Sequence, residues 1–156
     1  MSAALPAIPV KGANPCQAHG CSACCHDIEM LLTDADLARL RAVAGRDDFW
    51  FQAEDGYLQL HTRDGSPAQG SNAAPGATPR PCTFLSDAGS CTVWAARPEG
   101  CRLYPAIWDA DQVRAELDDD YCPHTDGFLL PAVTGDATRR LAQRLERERS
   151  SRLRAA

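Results

Sequence analysis

Lysine is almost missing from this chain: Lys11 stands alone against fifteen arginines. Acidic residues outnumber all basic ones, 21 to 16, for a formal net charge of −5. No global basic field therefore invites nucleic acid. No stretch approaches the roughly 20 consecutive apolar residues of a membrane span. The opening residues carry no basic segment followed by an unbroken apolar run, and Pro6 and Pro9 interrupt the one candidate. The expectation is a chain without a secretory leader, working in a reducing cytoplasm. There is no Gly-rich nucleotide loop, no S-adenosylmethionine motif, no Ser/His/Asp constellation and no internal repeat, so no reaction can be named. The excess of Arg over Lys, with abundant Ala, matches the composition of a GC-rich bacterial genome.

Cysteine is what the chain has in excess. Four of the eight fall within ten residues, as Cys16-Gln-Ala-His-Gly-Cys21-Ser-Ala-Cys24-Cys25; Cys82, Cys91, Cys101 and Cys122 follow. In an oxidising compartment eight cysteines would form a disulfide framework. In a reducing one they stay free or bind metal. A disulfide between the neighbours Cys24 and Cys25 would also distort the peptide joining them. Clustered thiolates favour Zn²⁺, Cu(I) or an iron–sulfur cluster. Cys21-x2-Cys24 is one zinc-type knuckle. On a helical turn Cys24 and Cys25 would point about 100° apart, so one mononuclear centre does not easily hold both. A cubane or two neighbouring centres can, and two-cluster ferredoxins divide contiguous cysteines in that way. The later four are too widely spaced to form a site locally. They fit as partners folding back onto the first group, or as small buried hydrophobes.

The rest of the chain reads as one domain of the α+β class, irregular and loop-rich. Residues 1–15, with three prolines, read as a flexible lead-in, 16–133 as a cysteine-cluster domain, and 134–156 as a basic amphipathic helix. Ile28–Leu32 and Tyr57–His61 read as strands. Thr33 as N-cap and Gly45 as stop bound a helix over 34–44, with Leu37, Leu40, Val43 and Ala44 on its apolar face. Residues 62–81 are a Gly/Pro/Ser-rich loop insertion. Short hairpins are expected at 82–94 and around 109–111, with a turn or short helix at Arg97–Arg102. The tail from Asp136 reads as an amphipathic helix of about four turns. It carries seven Arg against Asp136, Glu146 and Glu148. Arg–Glu pairing in solvent is its plainest role, with contact to nucleic acid or an acidic protein partner as the alternative.

The motifs Cys21-Ser-Ala-Cys24-Cys25, Pro81-Cys82-Thr-Phe-Leu85, Cys91-Thr-Val-Trp94 and Arg97-Pro98-Glu-Gly-Cys101-Arg102-Leu-Tyr104-Pro105 together resemble the YkgJ-type cysteine-cluster family over residues 16–124. That family is described as zinc- or iron-chelating and includes the flagellin lysine N-methylase. The resemblance implies a domain holding a 4Fe–4S cluster or Zn²⁺, with no assigned task for most members. All eight cysteines of its pattern have counterparts here. Cys21, Cys24, Cys25 and Cys101 are the expected core ligands. Cys16, Cys82, Cys91 and Cys122 complete the same centre or a second one. Trp94, where the family often has Tyr, and the 62–81 insertion are departures that bear on access rather than on metal.

Three functions stay open at this point: a metal-binding module, a cluster-dependent enzyme of the protein lysine N-methylase type, and a thiol/disulfide redox protein using Cys21-x2-Cys24. The last lacks a surrounding thioredoxin-like βαβ pattern. His19, His26 and His124 are expected to be structural, since eight thiolates suffice as ligands. Arg102 is placed to offset thiolate charge, and Trp94 and Tyr104 are expected in the core.

Overall fold

The computed structural model describes residues 4–70 and 74–156. The first three residues of the expected lead-in, and 71–73 of the expected insertion, lie outside the described residues. Among the described residues, four α-helices and two small antiparallel sheets make a loop-rich α+β fold. The helices are α1 (Pro15–Ala18), α2 (Asp34–Ala44), α3 (Glu99–Leu103) and α4 (Ala132–Ala155). Strands β1 (Leu31–Leu32), β2 (Trp50–Gln52) and β3 (Leu58–Leu60) form a sheet in the order β1-β3-β2, pairing Leu32 with Leu58 and Trp50 with Leu60. β4 (Ala106–Asp109) and β5 (Arg114–Leu117) form the expected hairpin, pairing Ala106 with Leu117.

Helix α2 begins and ends where its local chemistry dictates. Asp36 N–H donates to Thr33 Oγ1 at 3.0 Å, and Thr33 N–H donates to Asp36 Oδ2 at 3.0 Å. This reciprocal capping box satisfies two N-terminal donors. Gly45, at φ 68°, supplies the left-handed residue that stops the helix. Leu37 and Leu40 are buried, whereas Val43, expected beside them, is 56% exposed. At 100° per residue, Val43 lies about 120° round the helix from Leu37, while Ala44 falls almost over it. The inner residues join Met30, Leu32, Phe49, Leu58, Leu60 and Phe84 in the main core, and Cys82, Cys91 and Cys101 pack against its edge.

Asp36 also joins the helix to the segment that carries Cys101. Its Oδ1 accepts from Glu99 N–H at 3.0 Å and from Arg39 Nη2 at 2.5 Å. Arg39 in turn donates to the carbonyls of Ala96 and Arg97.

The C-terminal helix starts earlier than its polar tail suggests and runs 24 residues, about 36 Å. Thr134, Ala137, Thr138 and Leu141 repeat at helical spacing and are buried. Ala137 and Leu141 meet Leu103 in a second small core. The expected Arg–Glu pairs within the helix are present, Arg149 with Glu146 at 2.7 Å and Arg152 with Glu148 at 3.5 Å. Tertiary bonds accompany them. Arg144 pairs with buried Glu99 at 2.9 Å, Arg152 with Asp34 at 2.5 Å, and Tyr57 donates to Glu146 at 2.7 Å. The helix is therefore a packed part of the domain.

Two loops are more constrained than composition implies. In the expected lead-in, Val10 bridges Phe128, and Ile8 and Lys11 donate to the carbonyls of Arg102 and Gly127. The described parts of the 62–81 loop are anchored by bridges His61–Pro67, Thr62–Cys82 and His26–Pro81. The expected hairpin over 82–94 is reduced to one bridge, Leu85–Cys91, around Gly89. No described helix is long and apolar enough to cross a membrane.

Candidate metal centre

The first cysteine group is a closed loop. Asn14 Oδ1 accepts from Cys16 N–H at 2.9 Å and caps the single turn of α1. The chain reverses through Gly20 (φ 57°), and Cys21 N–H returns to the carbonyl of Cys16 at 2.8 Å. Cys24 and Cys25 then lie on a 3₁₀ turn, Ala23–Cys25. At three residues per turn their Cα–Cβ directions diverge by about 120°. His26 Nδ1 is 2.9 Å from the carbonyl of Ser22, and His19 stacks on His124 with ring centroids 4.1 Å apart.

A buried ion pair fastens the next residues to the second group. Asp27, 5% exposed and at φ 48°, accepts from Arg80 N–H at 2.7 Å, Arg80 Nη2 at 3.0 Å and Nε at 3.1 Å, and from Gln69 N–H at 3.3 Å. Burial pushes this carboxyl's pKa up. The hydrogen bonds and charge of Arg80, with the bond from Gln69, outweigh that and hold it below the ordinary value. Beside this clasp, Cys82 N–H donates to the carbonyl of Cys25 at 2.6 Å. The sequence carries no local signal for the pair, whose partners lie 53 residues apart.

All eight cysteines, Cys16, Cys21, Cys24, Cys25, Cys82, Cys91, Cys101 and Cys122, line one cavity of about 130 Å³. All are free thiols, partly buried, and none is in a disulfide. Among the described residues, no three His, Cys, Asp or Glu side chains are grouped closely enough to share a metal ion. Ile8, Val10, Met30, Phe84, Val93 and Phe128 contribute apolar wall. Burial is the first reason that the Cys16, Cys91 and Cys122 thiols titrate above the usual value, and that Cys82 is pushed up to about 11. Burial likewise drives Cys101 well above it. A side-chain hydrogen bond between Cys24 and Cys25 raises the former and lowers the latter. Apolar walls thus disfavour bare thiolates, and a bound cation is what would make them favourable. An all-sulfur donor set facing one cavity suits soft or borderline metals.

Trp94, Arg97, Arg102 and Tyr104 also line the cavity. Trp94, expected in the core, is 46% exposed. It opens a 3₁₀ turn whose inward residue is Ala96, and the Arg97 guanidinium lies 3.7 Å from its ring centroid. Arg97, unremarked in the sequence beyond its motif, lines the cavity with Arg102. Burial and the charge of Arg102 lower the Arg97 pKa, while Cys101, Cys91 and Cys16 act in the opposite sense. Arg102 Nε is buried without a hydrogen-bond partner in the protein. Tyr104 is half-buried on the cavity wall, and its hydroxyl donates to Asp118 at 3.0 Å.

A small α+β domain with eight free thiols on one internal surface defines a metal-chelating protein. The chain belongs to the CxxCxxCC family, described as a "putative zinc- or iron-chelating domain", which matches residues 15–123. The matched span contains every cysteine and ends before α4. No curated protein and no solved structure matches the chain.

Proposed function

We propose that this protein is an iron–sulfur domain whose cysteine thiolates hold a 4Fe–4S centre. The carrying observation is the number of thiols on one surface: eight free cysteines line one cavity, twice what a single mononuclear ion takes, and two of them, Cys24 and Cys25, are neighbours in the chain. A mononuclear zinc site, with Zn–S near 2.3 Å, needs four sulfurs only about 3.8 Å from one another. A cubane is bound through separate irons at its corners, so its ligands stand farther apart around a central volume. The adjacent Cys24 and Cys25 fit the second case, because neighbours on a 3₁₀ turn have Cα–Cβ bonds about 120° apart and suit ligands to different metal atoms. When bound, such a centre supplies one-electron redox chemistry or holds the surrounding loops together. Of the protein's own groups, the apolar wall limits water at the thiolates. Arg97 and Arg102 place positive charge beside ligands that are net negative once deprotonated. Zinc is the second reading the family permits.

Anaerobic purification followed by iron, sulfide and zinc analysis tests the proposal. Iron and sulfide in equal amounts, with broad visible absorption that bleaches on reduction, are expected. A colourless protein loaded with zinc alone, or one that binds no metal after reconstitution, would overturn it.

A further inference from the structure

We propose that the eight cysteines form two adjoining four-thiolate centres divided between Cys24 and Cys25, an outer one of Cys16, Cys21, Cys24 and Cys122 and an inner one of Cys25, Cys82, Cys91 and Cys101. This rests on the reading that the thiols bind metal clusters.

The backbone separates the two groups. On the outer side, Cys16 and Cys21 close one loop through their own hydrogen bond, and the His19–His124 stack holds that loop against the segment carrying Cys122. Lys11 N–H donates to the Gly127 carbonyl, and a Cβ built on Gly127 would lie 2.3 Å from Pro15 Cγ, which shows how closely the two segments approach. On the inner side, Cys25 is tied to Cys82 by the 2.6 Å backbone bond, and the Leu85–Cys91 bridge turns Cys91 back toward Cys82. Three of the four inner cysteines, Cys82, Cys91 and Cys101, pack on the edge of the main core.

Cys24 and Cys25 stand at the seam. The roughly 120° divergence of the 3₁₀ turn lets each turn to its own side. Tyr121, next to Cys122, donates to the His26 carbonyl at 3.0 Å and holds the outer segment against the seam.

The test counts metal in the anaerobically reconstituted full chain and in cysteine variants, with far-UV circular dichroism as the folding control. Two clusters give about eight irons per chain. Cys122→Ser and Cys91→Ser should each leave about half. The pair Cys16→Ser/Cys122→Ser, both outer, should lose no more than Cys122→Ser alone. The pair Cys91→Ser/Cys122→Ser, one from each group, should lose nearly all. Cys122 lies outside the main core, so halving in Cys122→Ser alone upholds the division even if the Cys91 variants do not fold. About four irons per chain, abolished by either single substitution, would overturn the division and leave the 4Fe–4S reading standing. Two zinc ions per chain, halved by each single substitution, would uphold the division and overturn the iron–sulfur chemistry. No bound metal would overturn both.

Discussion

Replacing Asp27 by Asn tests whether the buried clasp holds the thiol cavity together. The substitution keeps the size of the side chain, and Asn tolerates the left-handed backbone that position 27 adopts at φ 48°. It removes the charge that accepts two guanidinium bonds and two backbone bonds. Breaking a fully buried ion pair costs about 3–5 kcal/mol. Arg80 is 27% exposed and regains some hydration, and the Asn carbonyl keeps part of the acceptor set. A loss of about 2 kcal/mol is therefore expected. In a chain of this length that lowers Tm by about 4–8 °C. Because the clasp lies beside the Cys25–Cys82 backbone bond, metal should also pass to a competing chelator several-fold faster. Thermal melts and chelator kinetics on the same metal-loaded sample provide both readings. Asp87→Asn is the control: Asp87 is fully exposed in its pair with Arg63, and neither reading should move. An unchanged Tm together with an unchanged release rate in Asp27→Asn would refute the reasoning.

Cys24→Ser should lower bound metal and Tm together, since ligand energy is partly folding energy, as metal analysis and calorimetry would reveal. Gly127→Ala should cost about 1–3 kcal/mol in chemical denaturation, because its Cβ would meet the rigid ring of Pro15 at 2.3 Å, and should weaken metal retention at Cys16 and Cys122. Arg144→Ala strands the buried Glu99 carboxylate. With Arg144 itself 37% exposed, a loss of about 1–3 kcal/mol at unchanged m-value is expected in urea. Chelating the metal should lower Tm while leaving most far-UV ellipticity in place, because Leu32, Leu40, Phe49, Leu58 and Leu60 build a core without cysteine.

What could be read without the structure was whatever short-range chemistry decides. Thr33 and Gly45 delimit α2 because caps act within one turn. The β4–β5 hairpin follows from two short runs around Asp109-Ala110-Asp111. Cysteine number and spacing identified the chelating family on their own, because thiolate chemistry is a property of residue type. Tertiary structure decided what depends on distant partners: that Asp27 meets Arg80, that Trp94 turns outward over Arg97, and that residues 8–11 are bonded to the chain near Gly127. It also decided that α4, polar by composition, packs on Leu103 and is fastened through Glu99 and Asp34. Above all it brought eight sulfurs from positions 16 to 122 onto one cavity. Spacing along a chain cannot specify that meeting, because packing between segments 50 or more residues apart sets it.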